Sequence, residues 1–124
     1  MFMRCDDQRW CDMFAGSGAI GLEALSRGAK EVVFIEKDKE ALSIVKNNIQ
    51  RCKMEEQSIV IHDDAMIYTQ KQPSLEPFDV IFIDPPYDLS LKALLDNILN
   101  TSWYDKEIGR ASCRVRVYIR VVAG

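Results

Sequence analysis

The chain has 124 residues, 48% of them hydrophobic, and a formal net charge of −3. That length gives one domain at the small end of the usual range, and short for an α/β nucleotide-binding fold, so a fragment is expected; the acidic balance lacks the basic footprint of a nucleic-acid partner. No run approaches the roughly 18 apolar residues of a membrane span, Met1 to Trp10 is too polar and acidic for a signal peptide, and Cys5, Cys11, Cys52 and Cys113 have no Cys-x-x-Cys spacing, so with His62 as the one histidine they read as reduced thiols of a cytoplasmic protein without a metal site.

Arg9 to Phe14 is a short strand candidate that leads straight into Ala15-Gly16-Ser17-Gly18. A helical pattern follows on Ile20, Leu22, Ala24 and Leu25, and Gly28 after Arg27 is its expected stop. Val32 to Ile35 is the apolar, β-branched run of a strand buried on both faces, closed by Glu36. Asp38 is placed to cap the next helix, where Ala41, Leu42, Val45, Asn48 and Ile49 recur at helical spacing. Ser58 to Ile61 is a third strand, closed by His62-Asp63-Asp64. Ala65 to Gln72 reads as a short helix broken by Pro73. Phe78 to Ile83 is a fourth strand, stopped by Asp84-Pro85-Pro86-Tyr87 because proline cannot continue a central strand. Leu89 to Leu99 is a further helix with Leu91, Leu94, Leu95 and Ile98 on one face.

The order β-α-β-α-β-α-β-α implies an α/β fold, a parallel sheet with right-handed crossovers and helices on both faces. Ligands of such sheets bind beyond the carboxyl ends of the strands. The polar residues Asp12 to Gly18, Glu36, Asp63-Asp64 and Asp84 to Tyr87 all fall there, so one crevice is expected to collect them.

Gly16-Ser17-Gly18-Ala19-Ile20-Gly21 fits G-x-G-x-x-G between a strand and a helix, where glycines let the backbone approach a ligand closely. Glu36 stands where an acid meets a ribose hydroxyl pair. These features alone do not separate NAD from S-adenosylmethionine. Asp12 favours the latter, since an acid before the glycines would repel a pyrophosphate but accept a hydrogen bond from an ammonium. Asp64-Ala65 is placed to bond an adenine amino group; the plainer reading of Asp63 and Asp64 is a solvated strand-to-helix cap. Phe14, Ala15, Ser17 and Lys37 complete the expected cofactor set.

The Asp84-Pro85-Pro86-Tyr87 turn is the sharpest feature. Its prolines fix φ and lack N–H donors, so it is stiff. The exocyclic nitrogen of a base is a poor nucleophile because its lone pair is delocalised into the ring. The Asp84 carboxylate and the Pro85 carbonyl are suited to accept its two hydrogens and aim the lone pair at a methyl donor. Tyr87 is suited to stack on a base that has left its helix, worth about 1–3 kcal/mol.

Asp12-Met13-Phe14-Ala15-Gly16-Ser17-Gly18, then Gly21-Leu22-Glu23-Ala24-Leu25-Ser26-Arg27-Gly28-Ala29, and later Phe78 to Tyr87 resemble the bacterial 16S ribosomal RNA guanine-N2 methyltransferase family. The resemblance covers roughly Cys11 to Tyr104. It implies a Rossmann-like class I methyltransferase fold, S-adenosyl-L-methionine as donor and a guanine amino group of small-subunit ribosomal RNA as acceptor; separately, a monomer is expected. It implies that Asp12, Gly16, Gly18, Glu36 and Asp64 line the cofactor site while Asp84, Pro85 and Tyr87 hold the base.

Two departures from that pattern set expectations about the ends. Only Met1 to Trp10 precedes the first strand, where such proteins carry a basic arm, and Arg9 and Trp10 interrupt the apolar first strand. After the last helix, Glu107-Ile108-Gly109-Arg110-Ala111-Ser112-Cys113-Arg114 resembles a translated sequencing-adapter read. We therefore expect an incomplete methyltransferase core over 1–106 and a non-native tail over 107–124, with a real edge strand at Val115 to Val122 as the alternative. Without the tail's four arginines and one glutamate, net charge moves from −3 to −6. The competing readings are a DNA adenine-N6 methyltransferase, an NAD-dependent oxidoreductase, and an inactive truncated remnant.

Overall fold

The computed structural model describes residues 6–71, 78–85, 91–100 and 116–119. Its elements run β1 (Arg9–Met13), α1 (Ala19–Ser26), β2 (Glu31–Glu36), α2 (Lys39–Arg51), a 3-10 turn at Glu55–Gln57, β3 (Ser58–His62), α3 (Ala65–Thr69), β4 (Val80–Ile83), α4 (Leu91–Asn100) and β5 (Arg116–Ile119). The strands form one sheet in the order β3-β2-β1-β4-β5, and every pairing is parallel. The chain builds outward from β1 to β3, then returns to the other side of β1 with β4. The switch in direction falls between β1 and β4, where open α/β sheets form their ligand crevice.

Successive strand residues face opposite sides of the sheet, and the two sides are two cores. Trp10, Val32, Phe34, Val80 and Phe82 pack with Ala24 and Leu25 of α1 and Leu42, Val45 and Ile49 of α2. Cys11, Met13, Val33, Ile35, Ile81 and Ile83 pack with Ala65 of α3 and Leu94 and Ile98 of α4. Both faces are covered, so the central strands need apolar side chains at nearly every position.

Strand β1 contains Arg9 and Trp10 and is buried along its whole length. Glu31 Oε1 accepts from Arg9 Nη2 at 2.6 Å and from Nε at 3.1 Å, and the guanidinium lies 4.9 Å from the centroid of the Phe78 ring. The Trp10 indole N–H donates to Gln8 Oε1 at 3.1 Å. The two residues that interrupt the apolar pattern therefore belong to the strand, because each buried polar end has a partner.

The helix ends follow local chemistry. Gly28 takes φ +101°, and the Ala29 and Gly28 amides donate to the Ala24 and Leu25 carbonyls, both at 3.1 Å, closing α1 with a Schellman motif. The Asp38 carboxylate accepts the Ala41 amide at 3.3 Å and caps α2. The same C-terminal motif ends α2, but on Lys53, whose φ is +57°; Met54 and Lys53 donate to Ile49 and Gln50 at 3.0 and 3.1 Å.

Helix α3 stops at Thr69, short of the expected Gln72. The Thr69 hydroxyl bonds back to the Ala65 carbonyl at 2.8 Å, and Asn97 Nδ2 donates to Met66 O at 3.4 Å, so a side chain from α4 takes a carbonyl near the end of the helix. Pro73, and the expected start of α4 at Leu89, lie outside the described residues. Strand β5 lies within the segment read as either a tail or an edge strand; Ile83 stands opposite Ile119.

Candidate active site

The strand register decides what meets. Met13 of β1 is level with Ile35 of β2 and Ile83 of β4. The next residues, Phe14, Glu36 and Asp84, therefore emerge side by side at the carboxyl ends of three adjacent strands.

Between Phe14 and α1 the backbone enters the left-handed region three times, at Phe14 (φ +58°), Gly16 (φ +57°) and Gly18 (φ +79°). Three of the loop's amides are directed: Ala15 to Ile35 O at 3.1 Å, Gly18 to Ala15 O at 2.8 Å, and Gly16 to Glu36 Oε1 at 2.8 Å. A Cβ on Gly18 would strike Val45 of α2, and one on Gly21 would strike the Phe34 ring, so both glycines are needed for close packing. A Cβ on Gly16 would meet nothing within 4 Å, which marks the open side of the loop. The left-handed Phe14 was not foreseen; a bulky residue there is uncommon and is associated with functional loops.

Glu36 holds two amides at once, that of Gly16 through Oε1 and that of Asp38 through Oε2 at 3.0 Å. Each oxygen retains a lone pair for a ligand hydroxyl. Asp12 is only 2% exposed. Its Oδ2 accepts the Gly21 amide at 3.1 Å, and Oδ1 has no hydrogen bond from a described residue. Burial pushes its pKa up to about 7, the Gly21 amide works against that, and the charges of Asp84 and Glu36 raise it further. A pocket with three acids that feel one another suits a cationic ligand and repels a pyrophosphate.

The rim beyond β2 and β3 is polar. His62 Nε2 lies 2.9 Å from the Lys37 carbonyl. Asp64 Oδ1 accepts the Met66 amide at 2.8 Å and caps α3, while Lys37 Nζ is 3.7 Å from Asp64 Oδ2. The bond from Lys71, 2.9 Å from Asp63 Oδ2, holds that carboxyl below the usual range. Lys37 and Asp64 are thus brought together, whereas Ala65 is buried in the second core. Asp84 and Pro85 follow β4 half-buried, and Pro86 and Tyr87 lie outside the described residues. Sequence reasoning also missed Asn48: it appears in a run of core positions on α2, yet its Nδ2 donates to the Ser17 carbonyl at 2.8 Å. A polar residue interrupting that apolar series was the available signal.

Among the described residues no group of three or more His, Cys, Asp or Glu side chains could hold a metal ion, and no helix is long and apolar enough to cross a membrane.

Residues 2–109 match the model of the family described as "Conserved hypothetical protein 95". The chain is 48% identical over 82 residues to "Ribosomal RNA small subunit methyltransferase D" of Haemophilus influenzae, covering 64% of this chain and 42% of that protein. It superposes with a TM-score of 0.73 and 36% identity on the crystal structure of a "putative methylase" from Haemophilus influenzae, over 80% of this chain and 63% of that one. On the "SAM Dependent Methyltransferase from Agrobacterium tumefaciens" the TM-score is 0.57 with 27% identity, over 64% and 26% of the two chains. The fold is that of a class I methyltransferase. The chain spans about half the length of the curated relatives it matches.

Proposed function

The chain belongs to the family described as Conserved hypothetical protein 95, and from that premise we propose that it forms the core of an enzyme that moves a methyl group from S-adenosylmethionine to the exocyclic N2 of a guanine in 16S ribosomal RNA. The observation that carries this reading is the meeting of the glycine loop, Asp12, Glu36 and Asp84-Pro85 at the carboxyl ends of β1, β2 and β4. A relative named for small-subunit ribosomal RNA methylation supports the acceptor class.

The residues fit the donor. Asp12 offers the ammonium a buried oxygen that takes no hydrogen bond from a described residue, and Glu36 offers lone pairs to the ribose hydroxyls. The loop is open on the Gly16 side, Phe14, Ala15, Ser17 and Gly18 form its wall, and Lys37 with Asp64 and Ala65 stands at the adenine end. When bound, S-adenosylmethionine supplies an electrophilic methyl carried on a sulfonium.

The chain's own groups prepare the nucleophile. Asp84 and the Pro85 carbonyl accept the two amino hydrogens of the guanine, which localises the nitrogen lone pair and points it at the donor. The Pro85-Pro86 pair keeps those acceptors rigid, and Tyr87 stacks on the base. The departing thioether is neutral, so the proton lost from nitrogen needs only a weak acceptor, and positioning supplies much of the rate. The acceptor is small-subunit ribosomal RNA or the assembled small subunit, the enzyme works as a monomer without metal, and the expected compartment is the cytoplasm.

The test is transfer of labelled methyl to small-subunit ribosomal RNA and, separately, to duplex DNA. Label in guanine N2 of the RNA is expected. Label in DNA adenine would replace this reading with the DNA methyltransferase. The same proposal assigns 1–106 to the methyltransferase core and treats 107–124 as a non-native tail; coding DNA without an adapter-like stretch there would overturn the second assignment.

A further inference from the structure

The N-terminus of α1 is held from two sides. The Gly21 amide is one of the helix's first donors, which have no partner within the helix, and it goes to Asp12 Oδ2 at 3.1 Å. The Ser17 carbonyl, just ahead of the Gly18 cap, is taken by Asn48 Nδ2 at 2.8 Å, thirty-one residues away on α2. The helix ladder begins directly after, with the Leu22 amide on the Gly18 carbonyl at 2.9 Å. Val45, one turn before Asn48, packs where a Gly18 Cβ would stand. Helix α2 therefore fixes the loop through one apolar and one polar contact.

We propose that Asn48 is a positioning residue for the cofactor loop: its side-chain amide ties the Ser17 carbonyl to α2 and so holds in place the loop whose Gly16 and Gly18 are left-handed. This rests on the reading of that loop as the S-adenosylmethionine site. The loop's other ties, Gly16 to Glu36 and Ala15 to Ile35 O, hold its N-terminal half. Asn48 holds its C-terminal half. The bond lies on the rim of the molecule and not in either core, so its loss should loosen the loop without unfolding the domain.

The experiment compares the wild-type chain with Asn48→Asp, Asn48→Ala and the neighbouring control Lys46→Ala, measuring S-adenosylhomocysteine binding by calorimetry and the thermal unfolding midpoint of each. Asn48→Asp keeps the shape but has no N–H to donate. The expected result is binding about tenfold weaker for both Asn48 variants, on the scale of one well-placed hydrogen bond, with Lys46→Ala unchanged and midpoints within a few degrees of wild type. Wild-type affinity in Asn48→Asp or Asn48→Ala overturns the role of Asn48 alone. Weaker binding that merely tracks a large fall in midpoint in both variants overturns it too, since the residue would then be structural. A wild-type chain that binds no S-adenosylhomocysteine overturns the cofactor reading, and this inference with it.

Discussion

The Asp12 carboxylate and the Gly21 amide meet at 3.1 Å inside the protein, joining the end of β1 to the first turn of α1. Burial raises the Asp12 pKa from 3.8 to about 7. The folded state therefore holds a proton that the unfolded chain has released between those values. Stability from this group is fully present below about pH 4 and declines as pH rises towards 7, by at most about 1.4 kcal/mol for each pH unit. Asp12→Asn, which can still accept the Gly21 amide, is expected to lose that slope. Urea unfolding of the two proteins from pH 4 to 8 measures it, and parallel curves would contradict the raised pKa.

Asp84→Ala removes one of the two acceptors assigned to the guanine amino group. Methyl transfer should fall by at least about a hundredfold, the scale of a lost positioning group. Binding of S-adenosylhomocysteine, followed by calorimetry, should change little. Equal loss of both would mean that Asp84 serves the donor and not the acceptor.

Tyr87→Ala should raise the RNA concentration needed for half-maximal rate, with an energetic loss of about 1–3 kcal/mol, and Tyr87→Phe should nearly restore it. Stacking needs the ring, so a phenylalanine as poor as alanine would point to the hydroxyl instead.

Gly18→Ala places a methyl against Val45 while asking alanine to adopt φ +79°. Gly21→Ala drives one into the Phe34 ring and to 2.8 Å from Val32 Cγ1. Each should destabilise the domain by about 1–3 kcal/mol, seen as a lower urea midpoint. Gly16→Ala meets no atom and should be milder, its penalty confined to the strained φ.

Lys53 closes α2 in the left-handed conformation that glycine adopts without strain. Lys53→Gly is expected to stabilise the chain by roughly 0.5–1 kcal/mol. Its thermal midpoint should rise by a few degrees; a fall would mean that the lysine side chain contributes more than its backbone costs.

Much of this architecture was legible because its cues are local. The apolar runs at Val32 to Ile35 and Phe78 to Ile83 announced central strands, Asp38 announced a cap, and Gly28 a stop. Arg9 and Trp10 misled because their partners, Glu31, Phe78 and Gln8, are supplied mostly by other parts of the fold. The end of α3 is met by Asn97, thirty-one residues away on α4, whose side chain donates to Met66 O. The candidate site divides in the same way. Its residue types and positions were visible, but the raised pKa of Asp12, the double use of Glu36 and the reach of Asn48 arise only when the strands are in register.

The place of β1 between β2 and β4 has a consequence for synthesis. Arg9 to Met13 can pair with β2 early, but its other edge must wait for Val80 to Ile83, some seventy residues later. Such distant pairing is slow, because a long loop must close first. A nascent chain would hold the glycine loop and Glu36 well before Asp84 leaves the exit tunnel. During that interval one side of the central strand is an open template for another chain. The carboxyl end of β4, which carries Asp84, is thus the last of the three adjacent strand ends to join the crevice.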